Sequence, residues 1–180
     1  NDNVTAFMQL GSINGGAGTD SLTLDYSGTL ADGRTATRID FSALFHTNAE
    51  HIYLSDGTST TLHIDNFERY TITGTVGNDV INGSTATGGN TFYGGEGDDT
   101  FTAGAGVDLF DGGAGNDTFH KIGFGDSVAG GEGTDTVNFN LSADTTGVDI
   151  NLSTGAGAGG VWSGIDFVAG TLGSGNDNVT

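Results

Sequence analysis

From Gly94 to Asn138 the chain reads GGEGDDTFT (94–102), AGAGVDLFD (103–111), GGAGNDTFH (112–120), KIGFGDSVA (121–129) and GGEGTDTVN (130–138). These are five consecutive blocks of nine. Asp fills the sixth place of each, as Asp99, Asp108, Asp117, Asp126 and Asp135. A large apolar residue fills the eighth: Phe101, Phe110, Phe119, Val128 and Val137. Upstream, GTVGNDVIN (74–82) supplies Asp79 and Ile81, and the intervening GSTATGGNTFY (83–93) is two residues too long. In that irregular block Asn90 takes the acid's place and Phe92 the apolar one. Further out, GGAGTDSLT (15–23) carries Asp20 and Leu22, AFMQLGSIN (6–14) keeps the frame without an acid, and NDNVT (1–5) ends a block with Asp2 and Val4. The chain closes on LGSGNDNVT (172–180), with Asp177 and Val179. Nine of the 19 aspartates thus share one phase, which sets aside the disorder that so acidic and glycine-rich a chain would otherwise suggest.

Composition narrows the partners. The 180 residues hold 34 glycines, no proline, no cysteine and only four basic residues, Arg34, Arg38, Arg69 and Lys121. Only Glu50, Glu68, Glu96 and Glu132 represent the longer carboxylate, and Asp is the better turn former, so the acids belong in turns. A formal charge of −19 repels nucleic acid and anionic membranes and attracts cations. No apolar run is long enough for a membrane span. The absence of cysteine means no disulfide staple, and it does not exclude an extracellular home if a metal does the stapling.

The blocks resemble the GGxGxDxUx nonapeptide of the repeats-in-toxin (RTX) family, a calcium-binding β-helix repeat. The resemblance covers residues 1–23, 74–138 and 172–180. It implies an all-β parallel β-roll in which each block is a six-residue turn and a three-residue strand, two blocks closing one coil. It also implies several Ca²⁺ ions as cofactor, an extracellular home, and export through a one-step (type I) channel.

The residues support this on physical grounds. Glycines at places one, two and four are expected to allow positive φ and to curl turn carbonyls toward a common point. Carbonyls and carboxylates are the hard oxygen donors Ca²⁺ prefers, six to eight at a time. One turn cannot supply that many. With two blocks per coil, turns eighteen residues apart stack about 4.8 Å apart and share each ion. One edge then runs Asp79, Asp99, Asp117, Asp135, and the other Asn90, Asp108, Asp126, with Asp2 and Asp20 forming a further pair. Asp177 opens another turn. The turn backbone at Gly15, Ala17, Gly77, Gly94, Gly95, Glu96, Gly97, Gly112, Gly113, Ala114, Gly115, Gly130, Gly131, Glu132 and Gly133 would complete the sites. Gly104 and Gly106 would do so on the second edge. That edge is the weaker, because Ala103 and Lys121 replace the first glycine and Phe124 the fourth-place one. Stacked carboxylates about 5 Å apart repel by ~3 kcal/mol at an effective dielectric of 20. Coil closure is therefore expected to need cations.

Residues 24–73 and 139–171 lack the nonapeptide but read as strands (LTLDYS, TATRIDFSAL, AEHIYLSD, TTLHIDNF; TVNFNLS, GVDINLS, IDFVAG), separated by turn signals such as Asp32-Gly33 and Asp56-Gly57. The expected layout is roll coils over 1–23, wider strand-rich coils over 24–73, the main roll over 74–138, wider coils over 139–171, and a further roll coil from 172 to 180. The inserts resemble one another: GGAGTDSLTLDYS opens the first and GGEGTDTVNFNLS the second, and they close on GTVGND and GSGND. Both chain ends read NDNVT. This fits either a unit repeated in tandem within a longer protein or a coincidence between similar motifs.

No catalytic function is expected. HExxH, GxSxG and thiol signatures are absent. His46, His51 and His63 fall in the first insert and His120 at a ninth place, as ordinary surface residues would. Trp162 and the tyrosines are scattered. Ice binding by a regular Thr or Asn array is disfavoured because the fifth place runs Asp98, Val107, Asn116, Gly125, Thr134. The expected role is a calcium-stiffened segment of an adhesin, surface-layer or fibre protein, with neighbouring units or self-assembly as partners. The alternative is the calcium-dependent folding and secretion tail of a toxin, protease, lipase or epimerase.

Overall fold

The computed structural model describes residues 2–7, 11–29, 33–41, 50–84 and 86–180. Asp32 of the Asp32-Gly33 turn signal and His46 lie outside the described residues. All regular structure among those described is β-strand, so the chain is an all-β parallel roll. In chain order the strands are β1 (Asn3–Phe7), β2 (Gly11–Asn14), β3 (Ser21–Asp25), β4 (Ala36–Phe41), β5 (Glu50–Leu54), β6 (Ser59–Asp65) and β7 (Arg69–Thr73). The main roll adds β8 (Val80–Asn82), β9 (Thr91–Glu96), β10 (Thr100–Thr102), β11 (Leu109–Ala114), β12 (Thr118–Ile122), β13 (Ser127–Glu132) and β14 (Thr136–Asn140). The C-terminal part holds β15 (Asp149–Asn151), β16 (Ala156–Gly157), β17 (Gly160–Ser163), β18 (Phe167–Thr171) and β19 (Asn178–Val179).

Successive blocks alternate between two sheets. One has the order β1-β3-β7-β9-β11-β13-β17-β16-β15-β19, the other β18-β14-β12-β10-β8-β4-β5-β6-β2. Pairing in the main roll is parallel with an eighteen-residue step, as in Thr100↔Thr118 and Leu109↔Ser127. Across the irregular block the step is twenty, Val80↔Thr100. The repeat spacing therefore dictates the register directly. Threonine and β-branched or aromatic residues at places seven and eight suit a half-buried strand, and alternation points every eighth-place residue of the main roll inward.

The core is a ladder of those inward residues. Phe101 and Phe119 of one sheet stack at 5.1 Å with nearly parallel rings. Phe110 of the other sheet meets both edge-on, at 5.9 and 6.0 Å. Phe92, Phe101, Phe110 and Phe119 are all fully buried. Offset and edge-to-face pairs of this kind add to the area they bury.

The inserts depart from the expected wider coils in one respect: each contains reversed strands. In the first, β4, β5 and β6 pair antiparallel in sequence. The leading strand β4 lies beside the later β8 and the trailing β6 beside the earlier β2, so the meander runs back along the roll. The second insert repeats this design on the opposite sheet. There β15, β16 and β17 pair antiparallel, with β15 beside β19 and β17 beside β13. While each meander adds strands to one sheet, the other sheet closes over it directly, through β3–β7 in the first case and β14–β18 in the second.

Candidate metal centre

The in-phase aspartates line up as two ladders. On the first edge the backbone N–H of Asp79 donates to Oδ1 of Asp99 (2.7 Å), that of Asp99 to Asp117 (2.8 Å) and that of Asp117 to Asp135 (2.8 Å). On the second, the N–H of Asn90 donates to Asp108 (2.7 Å) and that of Asp108 to Asp126 (2.8 Å). Asp2 donates in the same way to Asp20. One carboxylate oxygen of each accepting aspartate is therefore spent holding adjacent turns in register. What distinguishes the edges is the other oxygen.

On the first edge that oxygen is open inside the protein. Oδ2 of Asp99, Asp117 and Asp135 is buried and accepts no hydrogen bond. Each faces the first-place glycine of its own turn. A Cβ added to Gly94 would overlap Oδ2 of Asp99 and the carbonyl oxygen of Gly112. One on Gly112 would overlap Oδ2 of Asp117 and approach the carbonyl oxygen of Gly130. Each cradle thus brings a bare carboxylate oxygen and the next turn's carbonyl to one spot. A buried, unsatisfied carboxylate oxygen is costly unless something positive meets it.

On the second edge both oxygens are occupied. Oδ2 of Asp108 accepts from the N–H of Gly104 (3.0 Å), and Oδ2 of Asp126 accepts from that of Gly123 (2.7 Å). Without the first-place glycine these turns fold their own backbone onto the acid. Lys121 at φ 58° marks that altered path. Asp79 on the first edge is also engaged, by Thr75: its N–H at 2.6 Å and its hydroxyl at 3.0 Å. Thr75 stands where the complete motif has its second glycine.

The glycine expectation needs one correction. Positive φ is confined to places two and four in the complete turns: 113° and 106° at Gly95 and Gly97, 102° and 136° at Gly113 and Gly115, 108° and 127° at Gly131 and Gly133. Gly94, Gly112 and Gly130 are absent from the left-handed set. Place one needs glycine for room, since any side chain would fill the cradle.

The remaining predicted residues fall around these turns. Gly15 is buried, and a Cβ there would overlap the carbonyl of Asn66; Ala17 is exposed. A Cβ on Gly77 would overlap the carbonyl of Thr37, and Gly106 adopts φ 99°. Ala114 is half-buried beside Glu96 and Glu132, whose side chains are exposed. Asp177 accepts the N–H of Val148 at 3.1 Å and is half-buried.

Two acids outside the repeat join the ladders. Glu68 accepts the N–H of Asp20 (2.8 Å), and Asp166 accepts that of Asp135 (2.9 Å). Both sit just after the meanders, and both were missed because no nonapeptide surrounds them. The signal is the likeness of the inserts: eleven residues separate Glu68 from Asp79, and Asp166 from Asp177.

Burial governs the electrostatics. Desolvation pushes Asp99 up to about 8, with Asp79, Asp117 and Asp98 adding repulsion. Desolvation likewise raises Asp117 and Asp79 to about 6. Asp126 reaches about 6 and Asp108 and Asp135 are also raised, again through burial. A nearby cation would oppose this shift by favouring the ionised form. No group of three or more His, Cys, Asp or Glu side chains suits a metal among the described residues. The donors are instead carbonyls joined to single carboxylates, a hard-oxygen set.

Sequence comparison agrees. The profile of the RTX calcium-binding nonapeptide repeat matches in four copies, over residues 71–85, 84–119 and 124–145. The turns within these matched residues are RTX calcium-binding repeats. No curated protein is significantly similar to the chain. The donors present fit the ion that RTX repeats bind. In the RTX roll Asp99 with the Gly112 carbonyl, and Asp117 with the Gly130 carbonyl, would hold Ca²⁺. The ion supplies the positive charge that lets the stacked acids stay ionised in a closed coil.

Proposed function

We propose that this chain is an extracellular structural segment of an adhesin, surface-layer or fibre protein, folded and stiffened by Ca²⁺ and without catalysis of its own. The observation that carries this reading is the set of buried, bare carboxylate oxygens spaced along one edge of a continuous two-sheet stack. In a solenoid each coil contacts only its neighbours, so rigidity follows ion occupancy coil by coil. A chain of this charge stays open in a calcium-poor cytoplasm and folds after export, consistent with type I secretion. The expected midpoint is roughly 10⁻⁴–10⁻³ M calcium, as for extracellular modules. Circular dichroism should show the strand signal collapsing in chelator and returning with calcium; a signal fully retained in chelator would count against calcium-coupled folding. Electron microscopy of the protein that carries this segment should show thin rods or a lattice that slackens in chelator. Compact particles bearing an enzyme domain would favour the folding and secretion tail of a toxin or hydrolase instead.

A further inference from the structure

We propose a calcium site at the junction between the main roll and the second meander, completed by Gly164 and Asp166 from outside any nonapeptide. The inference rests on the calcium reading above and extends it to a turn that no repeat describes. Asp135 is 0 % exposed, and its Oδ2 has no hydrogen-bond partner. A Cβ on Gly130 would lie 2.5 Å from that oxygen and would overlap the carbonyl oxygen of Gly164. Gly164 therefore occupies the position that the Gly112 and Gly130 carbonyls hold in the two cradles below.

The junction turn is a shortened version of a repeat turn. In a nonapeptide the acid follows the first glycine by five residues; here Asp166 follows Gly164 by two. A left-handed backbone at Gly164, φ 62°, accommodates the shortening. Asp166 still accepts the N–H of Asp135, as the next repeat's aspartate would. The same device closes the first meander. Asn66 is left-handed at φ 59°, its carbonyl approaches Gly15, and Glu68 two residues later accepts the N–H of Asp20. Both inserts thus end on one geometry that carries a carbonyl and a carboxylate into the next ladder position. A divalent oxygen-seeking cation is the ligand this donor set suits.

The test counts ions per chain at saturating calcium by equilibrium dialysis, in the intact chain and in Asp166→Asn. The asparagine keeps an oxygen for the Asp135 N–H but loses the charge. One ion fewer in Asp166→Asn, with an unchanged strand spectrum, is the expected result. An equal count in both overturns the junction site while leaving the central cradles standing. A wild-type chain that binds no calcium overturns the underlying reading instead. If Asp166→Asn does not fold, hydrogen exchange in the wild type decides. The amides of Asp135, Asp166 and Phe167 should slow as calcium is added, together with those of Asp99 and Asp117. Slowing at Asp99 and Asp117 alone would overturn the site.

Discussion

Asp117 and Asp126 differ by nine residues and share a place in the repeat, yet the roll treats them oppositely. Asp117 offers a bare Oδ2 to its own cradle, and its turn supplies the Gly112 carbonyl to the cradle of Asp99. Asp117→Ala should therefore disturb two ions, lowering the number bound at saturation and weakening what remains about tenfold or more. Asp126 spends both oxygens on N–H groups, the buried one of Asp108 and the half-buried one of Gly123. Asp126→Ala should keep the ion count and instead lose stability, on the order of 1–3 kcal/mol for the buried Asp108 donor left unsatisfied. Dialysis and thermal denaturation in calcium separate the two outcomes. Equal ion losses would mean that the edges are equivalent after all.

At the scale of a strand and its turn, the sequence displayed the roll almost completely and the meanders hardly at all. Spacing, together with the two blocks per coil that the family resemblance implies, predicted the eighteen-residue register, the twenty-residue step at Val80↔Thr100 and the inward phenylalanines. It did not reveal the direction of β5 or β16, since alternation reads the same from either end of a strand. Nor did it single out Glu68 and Asp166, whose turns keep the acid and lose the nonapeptide's glycine spacing that advertises it. The ladder as a unit also predicts a pH response. The folded pKa of Asp99 stands near 8, above its ordinary value of 3.8, because the carboxyl is desolvated. For an acid shifted upward, the contribution to stability is complete below the unfolded value and is lost as pH rises through the folded one. Calcium-stripped protein should thus hold more strand structure at pH 5 than at pH 8, as followed by circular dichroism. Asp99→Asn should flatten that dependence; an unchanged slope would place the effect elsewhere in the net charge.

Across the whole molecule the charge of −19 must be neutralised by ions that fit, and not merely screened. Magnesium demands a small, near-octahedral shell and gives up its water reluctantly. A cage of backbone carbonyls with single carboxylates suits the larger and more flexible shell of calcium. Millimolar magnesium should leave the chain largely unfolded where the same concentration of calcium folds it, and titration by circular dichroism checks this. Folding with both ions alike would reduce the ladders to a diffuse charge effect.

The two meanders carry a last consequence. Each places three strands where a plain coil places one, so its sheet gains two that the facing sheet does not match, with the first meander on one sheet and the second on the other. At about 4.8 Å a strand, either alone would act as a keystone and turn the stack toward its thinner side, making an arch. Set on opposite faces, the two wedges lean against each other's tilt. Among the described residues the sheets hold ten and nine strands, and the column, tipped one way and then the other, should resume its heading.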